Sequence, residues 1–229
     1  MKTLGLIGGI APESTVAYYR ALIRFHREAR PGGGDPPLII SSIDRRRMAE
    51  LAHPDRRPIV DFLAGEVERL RGAGADVALF AASSPHVVFD EVQRHVSIPL
   101  VDISPPTSLA VEARGLHRVA LLGTRITMKG GFYQSACAGR GIAVVVPTAT
   151  EQAQIHLVYQ RDLLTGNYSR EALDVMGTVL ARMQRDDGID GVILGGGEIA
   201  LLFEGIDPGL PAIDTLQVHA RAALSALLA

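Results

Sequence analysis

The stretch GADVALFAASS, residues 74–84, returns later in the chain as GIDGVILGGGE, residues 188–198. Each copy starts with glycine, has an aspartate two residues later, continues as an apolar run and ends in small residues. A continuous apolar run of this length is typical of a strand buried on both faces of a parallel sheet. The small residues that follow indicate a turn leading from the strand into a new element.

Two further pairs of segments repeat in the same order. GLIGG, residues 5–9, resembles ALLGT, residues 120–124, and SIPLVDISPPTSLAVEA, residues 97–113, resembles GLPAIDTLQVHARAA, residues 209–223. All three pairs are separated by about 115 residues, so the order and the spacing together indicate two similar lobes of that size. One such match alone would mean little, because short apolar strands resemble one another.

Apolar runs alternate with helical patterns along the chain. Eight runs are predicted to be buried strands: TLGLIGG, PLIISSI, DVALFAA, IPLVDI, RVALLGT, IAVVVPT, DGVILGGG and LPAIDT. The clearest helical stripe consists of Ile59, Phe62, Leu63, Val67 and Leu70. The alternation predicts an α/β fold in which each lobe is a mostly parallel sheet flanked by helices. We expect residues 1–103 with 215–229 to form the first lobe and residues 104–214 the second.

The ends of these strands are the expected ligand site. Ligands of open α/β sheets bind beyond the carboxyl ends of the strands. Two lobes packed about a pseudo-twofold axis would bring equivalent strand ends together across a cleft. The loops concerned are rich in Gly, Ser and Thr, and they are GGIAPEST, SSIDRRR, AASSPH, GTRITM and GGGEI. Backbone N–H groups at helix starts, with hydroxyls nearby, suit an anion such as a carboxylate.

Composition excludes several classes of protein. The 229 residues carry 23 basic and 25 acidic side chains, so a nucleic-acid partner is not expected, and Arg45–Arg47 is the one basic cluster. Cys137 is the single cysteine and can form no intrachain disulfide. No leader peptide or membrane-spanning apolar run is recognised, so we expect a soluble cytoplasmic protein. The histidine spacing does not predict a metal site, and the glycine loops lack the P-loop and dinucleotide-binding patterns.

Four segments resemble motifs of the aspartate/glutamate racemases. LGLIGGIAPESTVAYYR resembles their opening, VALLGTRITMKGGFYQ their GT-x-x-TM-x-x-x-FY motif, DGVILGGGEIALL their GVI-x-GCTE segment and PAIDTLQVHARAAL their final D-[TS]-x-x-x-H segment. The resemblance runs from about Lys2 to Leu224 and implies two pseudo-symmetric α/β lobes with the active site between them. It also implies an isomerase that uses no cofactor, acts on a small amino acid or carboxylate, and is commonly a homodimer.

The chain departs from this family at the two residues that carry its chemistry. Family racemases use two cysteines, one of which removes the α-proton while the other returns a proton. A thiol suits this role because its pKa can be tuned towards neutral pH. Ala82 takes the place of the first cysteine and Gly196 that of the second. A methyl group and a hydrogen atom cannot exchange protons, and Cys137 lies elsewhere, where we interpret it as a small core residue.

Four neighbouring residues are candidates to take over proton transfer. Ser83 and Ser84 follow Ala82, and His86 could activate one of them, or alternatively orient the turn or cap its helix. Glu198 has the chemistry of a base, although the matching family residue does not transfer the proton.

The substrate-binding half of the family site is better preserved. The candidates share small size, hydroxyl groups or a place in a family motif, and they are Gly9, Thr15, Ser42, Ser83, Ser84, Thr124, Thr127, Tyr133 and Gly197. For the hydroxyl residues the alternative is a local turn or helix-cap role, and for Tyr133 it is simple packing.

Three interpretations follow from the sequence. The chain is a family enzyme that acts on a small carboxylate by other chemistry, a genuine racemase with a non-cysteine base, or a catalytically silent carboxylate-binding protein. The sequence leaves open which of these applies, as well as the substrate and the oligomeric state.

Overall fold

The computed structural model describes residues 2–51 and 54–229. It divides into a first lobe, made of the chain up to Asp102 together with His219–Ala229, and a second lobe, Ile103–Val218. The sequence predicts the second boundary at the end of the last strand, before residue 215. The structure puts it inside the final helix, because His219 there bonds to groups of the first lobe.

The first lobe contains a three-stranded parallel sheet in the order β2-β1-β3. Its strands are β1 (Leu4–Gly8), β2 (Leu38–Ser42) and β3 (Val77–Phe80). Every residue of β1 and β3 is buried, as their continuous apolar sequences predict. Leu4 of β1 lies in register with Leu38 on one side and with Val77 on the other.

The segment IPLVDI does not form the full strand that was predicted. It makes a single parallel bridge between Leu100 and Ala78, in which Ala78 N–H donates to Pro99 O at 3.0 Å and Val101 N–H donates to Ala78 O at 2.8 Å. The ladder stops at Val101, whose carbonyl accepts the His219 Nε2–H, and a helix begins soon afterwards at Ser104.

The second lobe contains a four-stranded parallel sheet in the order β5-β4-β6-β7. Its strands are β4 (Arg118–Gly123), β5 (Ala143–Val145), β6 (Gly191–Gly195) and β7 (Ala212–Asp214). The central strand β6 is buried throughout, and its Gly195 lies in register with Gly123 of β4.

Each lobe reproduces the other's internal connections, which confirms the repeat. Asp76 N–H donates to Thr3 O at 2.9 Å, and Asp190 N–H donates to Arg118 O at 2.8 Å. The carboxylates of the same aspartates accept the N–H groups of Thr3 at 2.7 Å and Arg118 at 3.0 Å. Strand order matches as well, since the Leu100 bridge beside β3 corresponds to β7 beside β6.

Helices flank both sheets. Those of the first lobe are α1 (Pro12–Ala29), α2 (Arg45–Leu51), α3 (Arg57–Gly72) and α4 (Phe89–Gln93). Those of the second lobe are α5 (Ser104–Ala113), α6 (Arg125–Lys129), α7 (Phe132–Ala138), α8 (Ala149–Arg161), α9 (Arg170–Arg182) and α10 (Gly197–Leu202), and the final helix α11 (Thr215–Leu228) crosses from the second lobe into the first. The predicted stripe on α3 is confirmed, because Leu63, Val67 and Leu70 are buried. Across the described part of the chain, no helix combines the length and hydropathy needed to cross a bilayer.

Candidate functional site

The turn after β1 is built around Thr15. Its hydroxyl accepts the Gly9 N–H at 3.0 Å and donates to Ala11 O at 3.1 Å. Gly9 has a φ of +82°, which favours glycine, and a side chain there would overlap the backbone of Ile43. Both candidates are therefore brought together, with Thr15 bonded inside the turn. Ser42 is exposed at the end of β2 and its hydroxyl lies beside Gly9.

The turn after β3 is almost wholly buried. Ala82 and Ser83 are buried, Ser84 is half-buried, and a 3-10 helix begins at Ser84. The His86 Nδ1 lies 3.2 Å from the Ser83 carbonyl, which can only accept, so Nδ1 carries the proton. The His86 ring stacks on Phe89 with centroids 5.5 Å apart.

His86 and His219 lie side by side and both are uncharged near neutral pH. Their ring centroids are 5.5 Å apart. Burial lowers the pKa of His86 to about 4. Burial, with a smaller contribution from His86, lowers the pKa of His219 to about 3. A neutral His86 can accept a proton in principle, but its low pKa makes it a weak base.

His219 connects three segments of the first lobe. Its Nε2–H donates to Val101 O at 2.9 Å, which leaves Nδ1 to accept the Tyr18 hydroxyl at 2.8 Å. The final D-T-x-x-x-H segment therefore supplies a buried connector for the loop beside β3. Sequence analysis did not identify Tyr18, because its partner lies 201 residues away.

The turn after β4 brings Thr124 and Thr127 together. Thr124 caps α6, and its hydroxyl accepts the Thr127 N–H at 3.2 Å. The two hydroxyl oxygens are 3.0 Å apart. Tyr133 is fully buried, and its ring lies 4.5 Å from that of Phe132.

The turn after β6 contains a polar pair that sequence analysis did not predict in full. Tyr159, from α8, donates its hydroxyl proton to the carboxylate of Glu198 on α10. Tyr159 is 2% exposed and Glu198 is 3% exposed. Burial raises the pKa of Tyr159 well above its ordinary value, and the Glu198 charge adds to the rise.

Gly196 lies next to this pair. A Cβ on residue 196 would overlap the Tyr159 hydroxyl oxygen and would lie 3.4 Å from Glu198 Oε2. The backbone of Gly196 is extended, with φ 171° and ψ 142°, so this obstacle comes from packing and not from backbone conformation. Gly197 follows as the buried first residue of α10.

Cys137 packs in the core of the second lobe. It lies on α7, is 1% exposed and belongs to the main apolar cluster of that lobe. Burial raises the pKa of its thiol to about 11. A buried thiol with this pKa is poorly suited to nucleophilic or proton-transfer chemistry near neutral pH. Within residues 2–51 and 54–229, no group of three or more His, Cys, Asp or Glu side chains is arranged to hold a metal ion.

Parallel sheets joined to helices by small, hydroxyl-bearing turns define an α/β protein with candidate ligand-binding turns at its strand ends. A family model described as Asp/Glu/hydantoin racemase matches residues 7–223. The chain therefore belongs to the Asp/Glu/hydantoin racemase family, as the sequence motifs predicted.

Individual relatives extend over the whole chain. A provisionally assigned Asp/Glu racemase from Yersinia pestis is 30% identical with a TM-score of 0.86, and the match covers 100% of both chains. An aspartate racemase homologue from Pyrococcus horikoshii OT3 is 32% identical with a TM-score of 0.82, again over 100% of both chains. The broad specificity amino-acid racemase RacX of Bacillus subtilis is 22% identical over 99% of this chain and 98% of that protein.

Proposed function

We propose that the protein binds a small amino acid or a related carboxylate at the carboxyl ends of its strands and acts on it without paired thiols. Family membership supports the ligand class, as does similarity to relatives described as aspartate and broad specificity amino-acid racemases. The paired threonine hydroxyls at the end of β4 are suitable hydrogen-bond partners for such a ligand.

The residues at the two family cysteine positions support the second half of the proposal, which is turnover without paired thiols. The resemblance assigns the two family cysteines to residues 82 and 196, which are alanine and glycine here. The one thiol of the chain belongs to Cys137, which is buried in α7 and has its pKa raised to about 11. A reaction that depends on two thiols has no groups to use at these positions.

Ligand binding and thiol independence can be tested together. The melting temperature would be measured with L- and D-aspartate, L- and D-glutamate, malonate and neutral amino acids. The α-proton and the configuration of each amino acid would be followed by NMR in D₂O and by chiral chromatography. We expect at least one carboxylate to stabilise the protein, since a ligand that binds the folded state raises its melting temperature.

The control is Cys137→Ala, which should bind and react like the natural sequence. The proposal that turnover needs no thiol would be contradicted if Cys137→Ala lost turnover while ligand still stabilised it. Loss of turnover after thiol alkylation of the natural protein would contradict it as well. Absence of stabilisation by every member of the panel would contradict the ligand class. Stabilisation with no turnover of any member would identify a catalytically silent carboxylate-binding protein.

A further inference from the structure

The tyrosine–glutamate pair at the end of β6 is unusual among the buried polar groups of the second lobe. Two ionisable side chains are in direct contact there, and both are almost completely buried. They come from different helices, and they lie at the carboxyl end of a central strand, where ligands of open α/β sheets bind. Buried ionisable groups in such positions are candidates for catalytic work.

The location of the hydroxyl is the second observation. The Tyr159 oxygen occupies the space that the first side-chain atom of residue 196 would take. Glu198 Oε2 lies 3.4 Å from the same point. The Tyr159 hydroxyl and the Glu198 carboxylate therefore lie where a side chain on residue 196 would lie.

We propose that Tyr159 is the proton-transfer residue of the second lobe, with Glu198 as the group that takes up and returns its proton. This inference rests on the proposed function, because it requires an amino acid to bind at these strand ends. It gives the chain a non-thiol acid–base pair at the position that the resemblance assigns to a cysteine.

The transfer is balanced without a tyrosinate intermediate. The substrate Cα–H bond breaks and its proton goes to the Tyr159 oxygen, while the original hydroxyl proton passes to the Glu198 carboxylate. The electron pair of the broken bond remains on the substrate carbon. While it does, the Tyr159 hydroxyl exchanges its proton with solvent, and the reverse steps return this solvent-derived proton to the carbon. Because Tyr159 never carries a net charge, the relay is compatible with the raised pKa of its hydroxyl.

The residues of the first lobe that match Gly196 and Glu198 are Ala82 and Ser84, and neither carries an ionisable side chain. Ala81 and Ala82 follow β3, and their methyl groups cannot hold a proton. A single proton-transfer group removes and returns the proton on the same face of the carbon. We therefore expect exchange of the α-proton of one enantiomer with solvent deuterium, with its configuration retained.

The test compares Tyr159→Phe and Glu198→Gln with two matched controls from the second lobe. Tyr168→Phe removes the hydroxyl of a half-buried tyrosine of the same lobe, and Glu204→Gln neutralises an exposed carboxylate. Deuterium incorporation, configuration and ligand-induced stabilisation would be measured for all five proteins. We expect Tyr159→Phe and Glu198→Gln to lose exchange by on the order of 10²–10⁴-fold while they keep ligand-induced stabilisation. The controls should exchange like the natural protein.

The outcomes separate this inference from the proposed function. Exchange that survives Tyr159→Phe, exchange accompanied by inversion, or stabilising ligands that never exchange would each overturn the role of Tyr159 and leave ligand binding intact. If no ligand of the panel stabilises the natural protein, the proposed function fails first and this inference falls with it.

Discussion

At the scale of single residues, packing against Tyr159 restricts which side chain residue 196 can carry. Its extended backbone could accept any side chain, yet the Tyr159 hydroxyl already occupies the position of a Cβ. Tyr159 in turn is fixed by Glu198 and by the surrounding apolar cluster, which includes Ile155 and Ile199. The identity of residue 196 is thus coupled to that of residue 159.

This coupling can be measured as a double-mutant cycle. Gly196→Ala should destabilise the protein by about 1–3 kcal/mol, because the new methyl group overpacks against the hydroxyl. Tyr159→Phe alone should cost about 1–2 kcal/mol, because Glu198 loses a buried donor. The combined variant should be more stable than the sum predicts by about 1 kcal/mol, since the ring carbon Cζ lies an ordinary 3.4 Å from the new methyl.

Urea unfolding of the three variants gives the coupling free energy. Gly177→Ala is the control, because a Cβ at this position in α9 meets no atom within 4 Å. It should be neutral or stabilise the helix by up to about 1 kcal/mol. Strict additivity of the two site variants would show that the hydroxyl does not obstruct residue 196.

The buried histidines His86 and His219 predict acid sensitivity of the first lobe. Their pKa values fall to about 4 and about 3 in the folded state, from an ordinary value of 6.5. Below pH 6.5 the unfolded chain therefore binds protons that the folded chain does not bind. Stability is fully present above this pH and decreases as the pH falls towards 4, by about 2 kcal/mol for each histidine between pH 6.5 and pH 5.

The measurement is the free energy of unfolding at several pH values for the natural protein and for His219→Gln. Between pH 6.5 and pH 5, unfolding of His219→Gln should take up about one proton fewer than unfolding of the natural protein. Its free energy of unfolding should therefore change less steeply with pH, whatever its absolute stability. The exposed His117 gives the control His117→Gln, which should keep the full slope. Equal slopes for His219→Gln and the natural protein would mean that His219 is not held neutral.

At the scale of elements, α8 is important because it carries Tyr159. Thr148 caps it in a capping box, in which the Thr148 hydroxyl accepts the Glu151 N–H and the Glu151 carboxylate accepts the Thr148 N–H at 2.8 Å. Arg182 of α9 binds both carboxylate oxygens of Glu151 at 2.7 and 2.8 Å. One glutamate therefore secures the start of α8 and connects it to α9.

Removal of the cap should weaken the helix without altering the Tyr159 site. Thr148→Ala is expected to destabilise the protein by about 1 kcal/mol in urea unfolding, because the Glu151 N–H loses its acceptor. Thr178→Ala is the matched control, since Thr178 is exposed in the middle of α9, where alanine is the better helix former. The idea fails if both variants have the same stability.

Elements and their order were predictable from the sequence, whereas contacts between distant segments were not. Continuous apolar runs predict eight strands, of which seven form in the described residues, and the repeat predicts matching lobes, because burial on both faces leaves a strong pattern. IPLVDI is similarly apolar but makes a single bridge, because the Val101 carbonyl accepts the His219 side chain. Tyr159 and Tyr18 carry no motif, and their partners lie 39 and 201 residues away, so their roles emerge only from tertiary packing.

At the scale of the whole molecule, the turns after β3 and β6 raise the question of whether this chain can support two-thiol chemistry. Ala82→Cys together with Gly196→Cys would restore thiols at both positions that the resemblance assigns to them. The side chain at residue 196 would still overlap the Tyr159 hydroxyl, so this double variant should be poorly active and less stable. Adding Tyr159→Phe removes the obstructing oxygen and leaves the ring in place.

We expect the triple variant to invert the α-carbon of the ligand that stabilises the natural protein, at least about tenfold faster than the double variant. The physical reason is that a thiol becomes a useful acid–base group when its pKa approaches neutral pH, and racemisation needs one such group on each face of the carbon. Chiral chromatography measures inversion, and thiol titration confirms that both new cysteines are present and reduced.

The controls are the two single-cysteine proteins with Tyr159→Phe, which should not invert. A folded triple variant that binds the ligand and still leaves its configuration unchanged would show that residues 82 and 196 are not the family's cysteine positions. Equal inversion by the double and triple variants would show instead that Tyr159 yields to a new side chain.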